Sequence, residues 1–280
     1  MNWPNQGRWA ASVLLMCLAG CAQFAIRPPT PAKDLVIADL EEPQPGEHYY
    51  LILWASQGTP ARPRYTHSWA TVIHLKEQGP AHEPQLEVHT ISWLPASLEI
   101  QPLYFHPVKP VNLGPHESIR WALGTGQRVS EWGPYELRPR AYVRFLVQKE
   151  FLESGQIGYQ CTDTVGEAAR RGNACDCIHA ITDMDPEYPR SRYPLIWFGD
   201  SATRIMVERV MERGALIHPE VVHDWLDARL GLNDYPIVHR TDTNPGLLFH
   251  LMARVSATLS IERLTGSSGR QPAMTAPAMQ

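Results

Sequence analysis

A short cysteine-containing segment in the second half of the chain carries its clearest chemical signal. Residues 173–181 read Asn-Ala-Cys-Asp-Cys-Ile-His-Ala-Ile and follow Gly172, a residue that commonly ends a helix. The segment therefore predicts a turn that leads into another helix. A cysteine at a helix N-terminus lies at the positive end of the helix dipole, which lowers the pKa of its thiol. Cys177 is the candidate nucleophile; a structural disulfide and a buried, inert thiol are the alternative interpretations.

A thiol nucleophile needs a base, which is usually a histidine oriented by a third polar group. His67 opens one predicted strand and His89 lies inside the next. Side chains alternate between the two faces of a strand, so an antiparallel pairing of these strands allows both imidazoles to face the same helix. His179 is two positions from Cys177 and does not share its helix face, so we interpret His179 as structural.

A strand-borne histidine well upstream of a helix-borne cysteine resembles the circularly permuted papain-like fold. That group includes permuted NlpC-type peptidases and the lecithin:retinol acyltransferase family. The latter has an Asn-Cys-x-His motif to which Cys177-Ile178-His179 is similar, with Asp176 in the asparagine position. The resemblance covers residues 48–185. It implies Cys177 as the nucleophile, His67 as the general base and His89 as the orienting residue of an amide or ester hydrolase, or of an acyltransferase.

The N-terminus has the pattern of a secretory signal peptide. Arg8 is the only charge before the apolar run 9–18, which is too short to cross a bilayer as a helix. Small residues before Cys21 resemble a bacterial lipobox, so we predict a signal peptide over 1–20 and lipidation of Cys21. Ala22, in place of aspartate, resembles the sorting pattern of outer-membrane lipoproteins that face the periplasm. An ordinary signal peptide in which Cys21 is incidental is the alternative.

Cleavage of the signal peptide and lipidation of Cys21 would reduce the number of cysteines that can form disulfides. Three of the five cysteines remain, and in an oxidising compartment an odd number leaves at least one free or paired between chains. Cysteines separated by one residue bridge each other poorly. We therefore predict a disulfide between Cys161 and Cys175, with Cys177 left as the free thiol.

The elements that must position these residues indicate an α+β domain, in which a small antiparallel sheet packs with helices. Residues 21–46 are proline-rich and predict an extended tether, 47–264 predict one globular domain with a C-terminal helical or mixed extension, and 265–280 predict a disordered tail. Strands are predicted over 48–54, 68–75, 86–93 and 194–198, and helices over 115–123, 140–153, 164–172, 201–213, 219–230 and 245–264.

Several other classes of function are not expected. The net charge of −4 and the absence of a basic run argue against nucleic acid binding. No glycine-rich phosphate loop is present, so we expect no nucleotide cofactor. His218 and His223 are five residues apart, which does not match the spacing of zinc ligands on a helix, and we expect no metal site.

Gly199-Asp200-Ser201 resembles the nucleophile block of GDSL esterases, yet no Asp-x-x-His follows it. We therefore interpret Asp200 or Ser201 as a helix cap. The sequence as a whole predicts an envelope lipoprotein, held to the membrane by its N-terminal lipid, that hydrolyses or transfers acyl groups through a thioester. Peptidoglycan peptides or lipid acyl groups are the substrates that its location implies. The alternative is a non-enzymatic binding or scaffolding module.

Overall fold

The computed structural model describes residues 31–35, 37, 40–60, 62–79, 82–163, 171–185, 199–212 and 214–242, without the side chains of residues 33, 34, 211 and 212. It confirms the α+β class. The strands are β1 (Glu47–Gln57), β2 (His67–Lys76), β3 (Gln85–Ile91), β4 (Trp93–Pro95), β5 (Pro110–Asn112), β6 (Arg128–Glu136), β7 (Gly158–Tyr159), β8 (Ala174–Cys175) and β9 (Ile237–Arg240). The helices are α1 (Pro31–Asp34), α2 (Pro115–Gly124), α3 (Pro139–Glu153), α4 (Cys177–Thr182), α5 (Asp200–Glu212) and α6 (Trp225–Arg229).

The main sheet has five strands in the order β3-β2-β1-β6-β9. β1 lies at its centre and pairs antiparallel with both β2 and β6, and β3 continues the antiparallel pattern beyond β2. β9 pairs parallel with β6. Because strands lie on both sides of β1 and other elements cover both faces of the sheet, seven consecutive residues of β1 are buried.

Alternation along the strands divides the interior into two cores. One face carries Leu51 and Leu53, which belong to the same buried cluster as residues of α3, α4 and α5. The other face carries Ile52, Trp54 and Trp69, which pack with residues of α2 and α6. The sheet thus separates a larger core from a smaller, tryptophan-rich one.

Most of the predicted regular elements appear where the sequence placed them. The first three strands and the helices over 115–123, 140–153 and 201–213 are confirmed within a few residues, although the third strand splits at Ser92. The predicted helix over 219–230 is wrong in length, since only α6 forms there. β6 and β9 were not predicted. The proposed strand over 194–198, the helix over 245–264, most of the helix over 164–172, the signal peptide and the tail lie outside the described residues.

The described part of the proline-rich segment contacts the domain. Ala32 is fully buried against α3, and the Arg140 backbone N–H donates to the Leu40 carbonyl over 3.1 Å. The Arg138 guanidinium lies 2.6 Å from the Glu42 carboxylate. The described residues between 31 and 46 therefore pack on the domain, and the prediction of an extended tether does not describe them. None of the helices in the described ranges combines the length and apolar character needed to cross a bilayer.

Gly133 lies where β1 and β6 approach each other closely. Its φ is +104°, and a Cβ there would lie 2.7 Å from the Leu51 carbonyl oxygen, where the β1–β6 register shifts. Gly126 also has a positive φ, of +75°, but a Cβ there would meet open space. We expect Gly126→Ala to lower the free energy of unfolding by about 1–2 kcal/mol through backbone strain alone. Gly133→Ala should cost about 1–3 kcal/mol more because of overpacking.

Urea unfolding of the full chain and of the two variants measures this difference. Equal losses for the two glycine variants would show that the close approach at Leu51 carries no steric constraint.

Candidate active site

Cys177 is the first residue of α4, and Asp176 caps that helix. The Asp176 carboxylate accepts a hydrogen bond of 2.6 Å from the backbone N–H of His179. The backbone N–H groups of Ser68 and of Cys177 itself lie close enough to the Cys177 sulfur to favour its ionised form. Ser68 directly follows His67 in the chain. The start of α4 therefore places the candidate nucleophile against the backbone at the beginning of β2, one residue after the candidate base.

The edge of β2 is open at this point. β3 pairs with β2 only from Ala70 onward, so the residues of β2 before it have no β3 partner. This explains why the Ser68 N–H is available to the cysteine sulfur. It also means that no paired strand lies between the start of β2 and α4.

The pKa of the Cys177 thiol is raised well above its usual value, contrary to the lowered pKa expected from its helix position. Burial is the largest cause, and the negative charge of Asp176 adds to it. The hydrogen bonds from the Ser68 and Cys177 N–H groups act in the opposite direction and do not compensate. The resting sulfur is therefore a protonated thiol.

His67 is fully buried, and a chain of hydroxyl groups holds its Nε2 side. Nε2 lies 3.0 Å from the Ser92 hydroxyl, which lies 2.8 Å from the Ser118 hydroxyl. The Ser118 hydroxyl is in turn 2.8 Å from the Gly114 carbonyl oxygen. The His67 Nδ1 atom is also buried and has no hydrogen-bond partner among the described residues, so no hydrogen bond joins it to Cys177.

The surroundings of the two ring nitrogens determine the tautomer of His67. The Ser118 hydroxyl is placed to donate to the Ser92 hydroxyl and to the Gly114 carbonyl, and the second lone pair of the Ser92 oxygen can accept from the His67 Nε2–H. A proton on Nδ1 instead would leave a buried N–H donor without an acceptor, and such orphaned N–H groups are rare. We therefore assign the proton to Nε2, which leaves the Nδ1 lone pair unoccupied.

Two tryptophan rings surround the imidazole. The His67 ring stacks on Trp69 with centroids 5.5 Å apart and meets the edge of Trp121 at 5.7 Å. This burial lowers the pKa of His67 to about 3, because the imidazolium form would lose its hydration there. His67 is therefore neutral at every physiological pH.

His89 does not lie next to His67. In the β2–β3 register His89 is opposite Val72, so it projects from the face of α3, where its ring meets Tyr142 at 6.3 Å and its Nε2 lies 2.7 Å from Glu87. The expectation that both imidazoles share a sheet face is wrong, because the register has the opposite parity. Ser92 occupies the orienting position beside His67.

The predicted disulfide is absent, because Cys161 and Cys175 both carry thiols. Cys175 lies in the apolar core, whereas Cys161 lies near Asp176 and the Tyr159 hydroxyl. Burial, followed by the charge of Asp176, raises the pKa of Cys161 to about 12. All three described cysteines are therefore thiols close to the start of α4.

His179 belongs to a buried cluster that fixes the beginning of α4. Its Nδ1 lies 2.8 Å from Asp163 and 3.2 Å from Asp176, and the Asp176 backbone N–H donates to Asp163 over 3.2 Å. Burial lowers the pKa of His179, but the two carboxylates outweigh it and raise the pKa well above its usual value. These contacts agree with a structural interpretation of His179.

The sequence also suggested two alternative sites, one at Asp200 and one at His218 and His223. α5 begins at Asp200, whose carboxylate contacts Arg128 and, at 3.4 Å, Arg240. Asp200 is therefore the first helical residue, and these contacts do not confirm it as the predicted helix cap. His218 is exposed and 3.6 Å from Glu220, while the His223 ring packs against Tyr50, so these two histidines form no common cluster.

Neither a protein-family model, nor a curated protein, nor a solved structure matches this chain.

The protonated state of Cys177 predicts slow alkylation. Because the pKa of its thiol is raised, iodoacetamide should label Cys177 in the folded chain at least about tenfold more slowly at pH 8 than in the urea-unfolded chain. The folded rate should increase only as the pH rises well above 9. Peptide mapping by mass spectrometry separates Cys177 from Cys161 and Cys175. Labelling of the folded chain at pH 7 as fast as that of the unfolded chain would contradict the burial of this thiol.

Neutral His67 predicts a loss of stability in acid. The unfolded histidine takes up a proton below about pH 6.5, whereas folded His67 remains neutral down to about pH 3. The unfolded state therefore binds more protons between these values, and the free energy of unfolding should fall by about 1.4 kcal/mol per pH unit as the pH decreases.

Urea unfolding at pH 6 and at pH 5 tests this, with the neutral variant His67→Gln as comparison and the exposed His218→Gln as control. The His67→Gln variant should lose about 1 kcal/mol less than the wild type between the two values. Identical pH dependence in the wild type and His67→Gln would show that His67 is not buried in its neutral form.

Proposed function

We propose that this chain is an envelope lipoprotein whose α+β domain acts as a cysteine-dependent amide or ester hydrolase, or as an acyltransferase. Cys177 is the nucleophile, His67 the general base and Ser92 the residue that positions His67. The observation that carries the proposal is the junction at the start of β2. There the backbone N–H of Ser68 lies beside the sulfur of Cys177, and the preceding residue is a histidine with a fixed Nε2 and an unoccupied Nδ1.

The two nitrogens of the His67 ring have different surroundings, which suits a general base. The serine chain holds Nε2, so the ring does not need that nitrogen for proton transfer. Nδ1 is buried without a partner, which is costly unless a proton donor reaches it during function. A base that is oriented on one nitrogen and open on the other has the arrangement that nucleophilic catalysis requires.

In the proposed reaction the proton of the Cys177 thiol moves to His67 Nδ1 as the sulfur forms a bond to the substrate carbonyl carbon. The bond from that carbon to the leaving nitrogen or oxygen then breaks, and the leaving group takes the proton from Nδ1. A thioester on Cys177 remains. Water, or another acceptor hydroxyl or amine, attacks the thioester, gives its proton to Nδ1 and releases the acyl product, and the thiol recovers the proton.

The site starts from a neutral pair rather than from a thiolate and an imidazolium. Burial raises the pKa of Cys177 and lowers that of His67, so both groups resist ionisation until a substrate arrives. The N–H groups of Ser68 and Cys177 favour negative charge at the sulfur. No hydrogen bond joins His67 to Cys177 in the free chain, so the proposed reaction requires that substrate binding bring the imidazole and the thiol together.

The proposed location limits the substrates. Lipidation of Cys21 would hold the domain at a bacterial membrane, and the outer membrane facing the periplasm is the proposed site. Peptidoglycan stem peptides and the acyl groups of lipids or lipoproteins are within reach there. Both contain a carbonyl group that a thiol can attack.

A binding or scaffolding module is the second candidate, and one observation favours it. Burial against Trp69 and Trp121 makes His67 a weak base, with a pKa of about 3. In addition, the His67 ring lies on the sheet face that α2 covers, whereas α4 packs against the opposite face. In such a module, Cys177 and His67 would contribute to packing and stability alone.

Turnover of an ester and of muropeptides separates the two candidates. We expect the full chain to hydrolyse p-nitrophenyl butyrate or purified muropeptides and to form a mass adduct on Cys177. Cys177→Ala should abolish both, and His67→Ala should lower the rate by about 10²–10⁴. His89→Ala is the matched control, because it removes the other strand histidine, and it should leave the rate within about twofold.

Activity that survives Cys177→Ala, or equal effects of His67→Ala and His89→Ala, would contradict the enzyme proposal. No turnover and no adduct with either substrate class would favour the binding module.

A further inference from the structure

A second cluster of chemically active side chains lies at the other end of the sheet. Glu131 on β6 and His239 on β9 are direct cross-strand partners in the parallel pairing. Asp227 on α6 completes the group, and one donor atom from each of the three residues lies within 4.8 Å of the others. Three separate elements of the fold thus converge on one point, which is independent of the Cys177 site.

Glu131 is the residue that requires an explanation. Its side chain is completely buried, and among the described residues no group other than the neighbouring acid Asp227 reaches its carboxylate oxygens within hydrogen-bond distance. Asp227, which is also buried, has an Oδ1 atom without a partner. A buried carboxylate is normally paired with a cation or saturated with hydrogen bonds, because the loss of its hydration is costly.

The neighbouring charges do not satisfy these carboxylates. The His239 Nδ1 lies 3.8 Å from a Glu131 oxygen and 3.8 Å from an Asp227 oxygen, which is too long for a hydrogen bond to either. Asp224 adds further negative potential at both acids.

The spacing suits a metal ion. Nitrogen and oxygen ligands lie about 2.0–2.2 Å from zinc, so two ligands of one ion are separated by at most about 4.3 Å. Both 3.8 Å distances fall within this limit. Carboxylate and imidazole together are donors typical of Zn²⁺ and Mn²⁺ sites, whereas Mg²⁺ and Ca²⁺ prefer oxygen alone.

We propose that Glu131, Asp227 and His239 form a binding site for a divalent transition-metal cation. The two carboxylates supply the charge that attracts the ion, and the imidazole supplies selectivity over Mg²⁺. His239 has 61 % of its side chain exposed, so the ion has a route from solvent to the buried acids, and water can complete the coordination. This site has no local sequence signal, because its ligands are far apart in the chain and two of them lie on strands that were not predicted.

Calorimetric titration of the full chain with Zn²⁺ in excess Mg²⁺ tests the proposal. The three described thiols also attract zinc, so the number of bound ions is the readout. His239→Ala and the isosteric Glu131→Gln should each bind one Zn²⁺ fewer than the wild type. The exposed His218→Ala is the matched control for the loss of a surface histidine, and it should bind as many ions as the wild type.

His239→Ala alters an exposed side chain, so it keeps the test valid if Glu131→Gln fails to fold. The same stoichiometry in the wild type and His239→Ala, including no binding in either, would overturn the proposal. A loss that appears equally in His218→Ala would also overturn it.

Discussion

The burial of β1 on both faces is the constraint on which the rest of the structure depends. A central strand with apolar side chains in both directions must be covered twice, and the chain does so with α3, α4 and α5 on one face and α2 and α6 on the other. Both candidate sites arise at the margins of this arrangement. The cysteine site lies where β2 extends beyond β3, and the acidic cluster lies where β9 adds to β6.

Burial also determines the chemistry of both sites. At Cys177 and His67 it favours the neutral forms of an acid and a base that would otherwise ionise readily, so any reaction must begin from an uncharged pair. At Glu131 it disfavours the ionised carboxylate unless a cation is present. The same physical effect thus makes one site dependent on its substrate and makes the other a candidate for an ion.

The sequence predicted the α+β class, the first three strands and the cysteine at a helix start, because these depend on local patterns. It did not predict the strand containing Glu131, since a charged residue and Gly133 interrupt its apolar pattern. It also assigned the orienting role to His89, whereas Ser92 occupies that position beside His67. A change of one residue in register moves every side chain of a strand to the other face, and that register is set by the connection between strands and by packing. Thr71 and Thr90, whose hydroxyls lie 3.0 Å apart, mark the face that Ser92 shares with His67.

The central claim is that His67 is a neutral imidazole with its proton on Nε2 and an unoccupied Nδ1. Two-bond ¹H–¹⁵N correlation spectroscopy of the full chain, with His67→Gln used to assign the signal, reads the protonation of each ring nitrogen directly. We predict a protonated Nε2, a bare Nδ1 and no titration of this ring between pH 5 and pH 8. A proton on Nδ1, or titration near the ordinary histidine pKa of about 6.5, would contradict it.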